Sequence, residues 1–595
     1  MKKIASVVVT MLLTLTACSS NNQPQQNIEK PSNGTLTDGS YTGIGSGHNS
    51  SITVNVTIKD GALDTVEVVE HAETKGLGDK ALAIMVDAMN ENKSSNVDTV
   101  AAATISSLGV KSAVNNALKE AGASDEFLKA QPQVAQVLPE YNVSYDYDVV
   151  IVGAGGAGLS AAIEAKKAGA SVALIEKTFA TGGNTLVSGG GLNAPGTKQQ
   201  LDQGITDSAE QFATDTYNSG DKEGNLELIK VMADNAYDAT QWLINDINVE
   251  FLPDRIQQFG GHSVPRALIP VGNHGDELIL KLEAAANEIG VDFFFSCEAQ
   301  HIIMDGSKAV GIKAVANGKD ITFNADKGVI LATGGFASNV DMRKEYNENY
   351  GERFKTTARM ISTGDGITMA KEVNGQLVDM EYIQVYPTCN PLTGIISYVA
   401  NARFDGAILV NQEGNRFVNE MGRRDDISNA ILDQTGSVGY LFWGQEVEQV
   451  GNMTQMHNVE FNKWIETGLL HQADTIEECA EFFDIDVDTM KATIDAYNAS
   501  CEDGVDEEFN RSGSVKASLT APFYIQKVVP SSHHTMGGVA INTDTNVLDV
   551  DGNVIEGLFA AGEVVGDIHG TNRLGGNAIT DCVVFGRIAG QNASK

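Results

Sequence analysis

The stretch Asp148-Val149-Val150-Ile151-Val152-Gly153-Ala154-Gly155-Gly156-Ala157-Gly158 decides the fold of most of this chain. After one acid its opening residues are all aliphatic and β-branched, the composition of a strand buried on both faces. The glycines that follow permit a tight turn and a close approach of a pyrophosphate to the backbone. A helical stretch, Leu159–Ala168, opens directly after them. A second apolar strand, Ser171-Val172-Ala173-Leu174-Ile175, ends at Glu176, placed to accept from ribose hydroxyls. Strand, Gly-rich turn, helix, strand and acid in this order describe a dinucleotide-binding unit. Gly153, Gly155, Gly158 and Glu176 are its candidate cofactor contacts.

Composition bounds what surrounds this unit. The 595 residues include 41 Lys and Arg against 78 Asp and Glu, a formal charge of −37. Such a surface does not attract nucleic acid or anionic lipid, so no nucleic-acid partner is expected. With 42% hydrophobic and 20% charged residues the chain is of ordinary globular composition. Six cysteines in this length make no disulfide scaffold, and they show neither a Cys-x-x-Cys-His haem site nor metal-ligand spacing. No metal site is expected.

The first residues read as an address. Met1-Lys2-Lys3 is basic, Ile4 to Thr16 is mostly apolar but too short to span a bilayer, and Leu15-Thr16-Ala17-Cys18 follows. This resembles a bacterial lipobox. Residues 1–17 are expected to be a lipoprotein signal peptide, Cys18 the lipidated residue and 18–37 a flexible tether. The protein is then anchored by lipid at the extracytoplasmic face of the cell membrane.

Residues 38–122 form a separate small α+β unit. Tyr41–Gly45 and Ile52–Ile58 alternate like strands, Lys59-Asp60-Gly61 turns, and Leu63–Glu70 completes a hairpin. Helical spacing follows near Lys80–Asn90 and Ser107–Ala121. Asp98-Thr99-Val100-Ala101-Ala102-Ala103-Thr104 resembles the flavin-attachment motif of FMN-binding domains, with Ala102 where that family usually has Gly. The upstream His71-x-Glu73-Thr74-x-Gly76 is similar to the same family. The resemblance implies FMN joined by a phosphodiester to the Thr104 hydroxyl by a flavin transferase. A linker spans 123–146.

Further glycine-rich segments place the large unit in a family. They are Thr181-Gly182-Gly183-Asn184-Thr185, Ser188-Gly189-Gly190-Gly191, Ala332-Thr333-Gly334-Gly335, Thr363-Gly364-Asp365-Gly366, Gly562-Glu563 and Asn572-Arg573-Leu574-Gly575-Gly576-Asn577-Ala578. In order and spacing they resemble the FAD-binding flavoproteins of the fumarate reductase/succinate dehydrogenase superfamily, in its flavocytochrome c-like branch. The fold class this implies is α/β: a Rossmann-like FAD-binding domain interrupted by an α+β capping domain and preceded by the FMN-binding domain. The expected spans are 147–254 and 376–595 for the FAD domain and 255–375 for the cap. Gly183, Asn184, Thr185, Gly190, Gly191, Gly334, Asp365, Glu563, Asn577, Ala578 and Ile579 become FAD contacts. No His stands near Ser188, so FAD is expected to be non-covalent.

The same resemblance assigns chemistry. Reducing an enoate requires its carboxylate to be gripped, a hydride at the β-carbon and a proton at the α-carbon. Arg573 matches the family's carboxylate-gripping arginine and His533 its carboxylate-binding histidine, with His534 structural. Arg424 matches the proton-donating arginine and Arg403 a relay arginine. Tyr386 stands where fumarate reductases have His, and Val399 and Ala400 replace their Thr-Glu pair. The clamp for a second carboxylate is therefore dismantled. A Tyr here is similar to urocanate reductase-type enzymes, which also carry an FMN-binding domain. The expected reaction is reduction of urocanate or an arylacrylate as terminal acceptor in anaerobic respiration, electrons arriving from a quinol-linked or flavin-based membrane donor. Fumarate reduction, an FAD-dependent dehydrogenase or oxidase, and a non-enzymatic electron carrier remain the alternatives.

Overall fold

The computed structural model describes residues 36–397, 402–451, 454, 458–511 and 518–595. Cys18, the leader and most of the expected tether lie outside the described residues, as do Val399, Ala400 and Asn401. Among the described residues no helix is long and apolar enough to cross a membrane.

The small domain is a three-stranded antiparallel sheet, Gly39–Ser46, Ser51–Lys59 and Ala62–Glu70, covered by helices Gly78–Asn92 and Thr104–Glu120. The strand alternation decides which face is covered: Ile52, Val54, Val56 and Ile58 are buried against Val110, Ala113, Val114 and Ala117. Gly43 and Gly45 let the second helix ride on the backbone, because a Cβ at Gly43 would lie 2.0 Å from the Ala113 carbonyl oxygen. The expected linker is partly pinned to this domain. It holds a short helix, Asp125–Lys129, and Val134 exchanges backbone hydrogen bonds of 2.9 Å with Asn96 and Asp98.

The large domain grows outward from Ser144–Val152, whose last four residues are fully enclosed. Val172–Ile175 and then Asp292–Phe294 lie parallel on one side of it. Lys319–Leu331 lies parallel on the other side, with Val554–Ala560 beyond its C-terminal end. Cys297–Asp305 and Lys308–Ala316 extend the sheet antiparallel from the other half of Lys319–Leu331. Helix Gly156–Lys167 covers the sheet against the final helix, Asn577–Ala593. Their axes pass so closely that Cβ atoms at Gly586 and Gly590 would lie 2.5 and 2.2 Å from the carbonyls of Ala157 and Ala161.

The capping unit is not at 255–375. Strands 292–331 from that span belong to the main sheet, and Ala267–Pro270 joins a small sheet with Leu192–Asn193 and Phe251–Gln257. The inserted unit is instead built on an antiparallel sheet of Ile383–Cys389, Ile408–Val410, Gly439–Trp443, Leu470–Ala473 and Phe523–Thr535. It has its own core, centred on Leu409, Leu441, Phe442, Trp443 and Ile525. The physical reason is that strands 297–331 end the main sheet as a hairpin. Their buried and exposed residues alternate, as they would in a separate two-layer unit. Chain entering and leaving the cap crosses at one point, where a Cβ on Gly537 would lie 2.2 Å from the Asp379 carbonyl oxygen and 2.4 Å from Met380 Cα.

Ala102 adopts φ 66°, left-handed backbone that penalises a Cβ. Ala102→Gly is therefore expected to stabilise the small domain by about 0.5–1 kcal/mol, since relief of the strain exceeds the added freedom of the unfolded chain. Urea unfolding of the full chain, followed at the small domain's transition, checks this. A lowered midpoint would show that the left-handed turn carries no strain.

Candidate active site

Two places are built for chemistry, a cofactor cradle in the large domain and a cationic cleft where cap and FAD domain meet. The cradle is lined by Gly153, Gly155, Glu176, Gly183, Asn184, Thr185, Gly334, Asp365 and Glu563. The helix that starts at Gly156 aims its free N–H groups at this cavity, which suits a pyrophosphate. Gly155 leaves open space there, since its nearest neighbour to a Cβ would be the Gly182 carbonyl oxygen at 3.9 Å. Glu176 is held by the Ala154 N–H at 3.0 Å and by the Thr178 N–H and hydroxyl at 2.9 Å each. Lys177 donates to Asp365 at 2.6 Å across the mouth. Asn184 donates to Glu563 at 3.3 Å and to Ser362 at 3.0 Å. Burial raises the Glu563 carboxyl. This donor set and space fit a dinucleotide flavin.

The other expected cofactor residues support the cradle. A Cβ on Gly158 would fall 1.8 Å from the Gly153 carbonyl oxygen, so this glycine lets helix and strand meet. Gly190 (φ 68°) and Gly191 are crowded by Pro270 and Phe259. Asn577 accepts from Asn193 at 2.7 Å and donates to Thr216 at 3.0 Å, and Ala578 and Ile579 continue its helix. Thr104 is exposed at the first position of its helix in the small domain.

The cleft gathers all five residues assigned to catalysis. Gln384 and Tyr386 share one face of strand Ile383–Cys389, and His533 comes from its antiparallel neighbour Phe523–Thr535. Arg424 opens the helix Arg424–Leu432, Arg403 sits on the short helix Ala402–Asp405, and Arg573 lies on the loop before the last helix. Arg424 Nη1 and Arg573 Nη2 donate to the same oxygen, Gln384 Oε1, at 2.7 and 2.9 Å. The Gln384 amide in turn donates to Asn572 Oδ1 at 3.0 Å and the Arg573 carbonyl at 2.7 Å. The guanidinium carbons of Arg424 and Arg403 stand 5.0 and 5.7 Å from the Tyr386 ring centre. Tyr386 meets His533 edge to face at 5.2 Å. His533 Nδ1 pairs with Thr357 Oγ1 at 2.7 Å. The tautomer in which that hydroxyl donates carries the ring proton on Nε2.

This arrangement is costly to charge. Burial, then the neighbouring Arg573, pulls Arg424 down to about 9. Its place at a helix N-terminus adds to the cost. Burial brings Arg573 down to about 10, with Glu563 and Asp581 opposing. Burial and both arginines hold His533 well below its usual range, so its ring is neutral. Arg403 donates to the Glu420 carbonyl at 2.9 Å, and Glu420 is braced by Arg416 at 2.8 Å and Arg511 at 3.1 Å. Phe259 and Phe404 pack edge to face at 6.2 Å, and Phe259 presses on Gly575 beside Arg573.

The FAD binding domain family matches residues 148–579 and the FMN-binding domain family residues 47–119. The chain is 41% identical to a urocanate reductase of Eggerthella lenta, over 93% of this chain and 92% of that one. The chain belongs to the fumarate reductase/succinate dehydrogenase flavoprotein superfamily. Members of this superfamily include an NADH:acrylate oxidoreductase of Vibrio harveyi, 33% identical over 93% of this chain and 61% of that protein. The open form of a flavocytochrome c3 fumarate reductase superposes with a TM-score of 0.64 at 37% identity, covering 76% of this chain and 78% of that one. As a superfamily member the chain is a flavoprotein oxidoreductase acting on CH–CH bonds.

Three site residues were not singled out from sequence. Gln384 had a readable signal, since it stands two positions before Tyr386 and so shares its strand face. Thr357 and Phe259 had none, because they reach the site from segments remote in the chain.

The pH response follows from Arg424. Its cationic form is lost as pH rises through about 9, so kcat/KM for an enoate is expected to fall on the alkaline side near that value. Gln384→Glu sets a carboxylate between the two arginines. It should move that limb to higher pH and raise KM roughly tenfold by neutralising the carboxylate grip. A steady-state pH profile of both proteins checks this, and an unmoved limb would mean Arg424 does not set it.

Proposed function

We propose that the protein reduces the C=C bond of an α,β-unsaturated monocarboxylate bearing a planar substituent, urocanate first and an arylacrylate second. Arg573 and the His533 N–H grip the substrate carboxylate, the planar guanidinium offering two parallel donors. FAD bound in the cradle supplies the hydride to the β-carbon. Arg424 gives the proton to the α-carbon; its lowered affinity for that proton suits an acid in a dry site. Arg403, whose guanidinium carbon stands 5.7 Å from the Tyr386 ring centre, passes a proton onward.

The observation that carries the choice of substrate is the far end of the cleft. Tyr386 and the Phe259–Phe404 pair supply aromatic surface there, with the Arg403 guanidinium carbon 4.2 Å from the Phe404 ring centre. An imidazole or phenyl ring would stack on these aromatic faces, which the flanking guanidiniums leave rich in π contacts. The relatives named for urocanate and acrylate reduction support the same class. We further propose that FMN is carried covalently on Thr104, that a flavin transferase attaches it, and that a lipid on Cys18 holds the enzyme to the outer face of the membrane. A membrane electron donor, quinol-linked or flavin-based, would then feed respiration.

A panel of unsaturated acids with reduced viologen as donor tests the substrate class. Urocanate or an arylacrylate should turn over at least about tenfold better than fumarate, a difference worth about 1.4 kcal/mol at the transition state. Fast fumarate reduction with no activity on the ring-bearing acids would overturn it. Arg424→Ala should lower kcat about 10³-fold with flavin content unchanged, as expected for loss of a positioned acid. Unchanged turnover in that variant would remove Arg424 from the proton-donor role.

A further inference from the structure

We propose that the segment Thr74–Lys80 of the small domain is a docking face whose partner is helix Asp276–Glu288 of the large domain, braced against the segment that leads into the FAD cradle, and that Lys80, Glu283 and Thr181 are positioning residues for electron delivery. Its purpose rests on Thr104 carrying FMN; the contact itself does not.

The contact can be followed residue by residue from one flavin site to the other. Thr104 opens its helix, and two residues on, Ser106 donates to the buried carboxylate of Glu73. Glu73 also accepts from the Asn49 N–H at 3.0 Å, and a Cβ on Gly78 would touch it at 2.8 Å. The attachment end of the helix is therefore tied to the start of the docking segment. Gly76, at φ 76°, then presses on the large domain, where a Cβ would lie 2.9 Å from Leu280 and 3.3 Å from Leu186. Leu77, partly buried, packs against the core of the large domain, and Phe179 of the large domain packs against the core of the small one. Lys80 Nζ donates to both oxygens of Glu283 at 2.8 and 2.9 Å, and Thr181 Oγ1 donates to Glu283 Oε2 at 2.8 Å. Thr181 is fully buried and leads into Gly183, Asn184 and Thr185, which line the cradle.

The motif Glu73-Thr74-x-Gly76 thus has a use that attachment chemistry does not require. The Lys80–Glu283 pair is partly exposed, with side chains 36% and 18% accessible, so its net contribution to stability is small. Its value lies in register: it converts an encounter of tethered domains into a single seated geometry and raises the effective concentration of one flavin site at the other.

Charge reversal and cross-linking test this in the full-length, flavin-loaded enzyme. Lys80→Cys with Glu283→Cys should be joined in high yield by dibromobimane, a readout independent of any flavin. Reduced viologen then supplies electrons, two molecules each losing one electron per FAD reduced, with protons taken from water. The rate of FAD bleaching above the Thr104→Ala background is the FMN-dependent part. Lys80→Glu and Glu283→Lys should each lower that part at least about fivefold, and the double swap should restore it to within about twofold. The cross-linked enzyme should keep the full rate. Unchanged single variants, a swap that restores nothing, no cross-link, or a cross-linked enzyme that loses the rate would each overturn the docking role. Absence of FMN on Thr104 by mass spectrometry would defeat the attachment reading alone, with the cross-link still reporting the contact.

Discussion

Two buried guanidiniums sharing one amide oxygen form the constraint on which the rest of the site depends. Arg424 belongs to the capping unit and Arg573 to the FAD domain, and the oxygen they share is that of Gln384, an uncharged acceptor. A carboxylate in that place would have satisfied both cations and left nothing to attract a substrate. An amide holds their geometry and leaves their charge unspent. The overall charge of −37 repels an anion at a distance, but that field is screened within about 8–10 Å at physiological salt. Inside the cleft the two arginines dominate, and burial strengthens their pull on a carboxylate.

The scaffold supplies this geometry through close approaches rather than through unusual side chains. The helix behind the pyrophosphate loop meets the final helix at glycines, which fixes where the Arg573 loop must leave the sheet. The antiparallel pairing of Ile383–Cys389 with Phe523–Thr535 sets Gln384 opposite His534 and Tyr386 opposite Ser531. His533 therefore reaches Tyr386 without any loop having to be ordered on binding.

Much of this was legible in the chain. The unbroken apolar strand before Gly153 and the acid at Glu176 are signals of buried parallel structure that few other arrangements produce. Arg424, Arg573, His533 and Tyr386 sit in distinct local motifs, and they do converge. The capping unit was misplaced because alternation along 297–331 describes a half-exposed strand without saying which sheet it joins. Gln384 shows the same limit at the site. Its type and face are readable, but that two arginines from separate domains would meet on its oxygen is a tertiary fact. Lys80 and Glu283 are 203 positions apart, and nothing in either neighbourhood names the other.

The crossing at Gly537 has a consequence for how such a molecule can open. The two strands that enter and leave the capping unit carry Gln384, Tyr386 and His533, and they converge within a few residues of that glycine. A rotation about the crossing must swing these side chains together, as one rigid blade, past the fixed Arg573. Under such a rotation, admission of substrate and assembly of the grip would share one axis. Evolution of this cleft toward a bulkier acid must reshape the far wall, because widening the gate would also loosen the hand that holds the carboxylate.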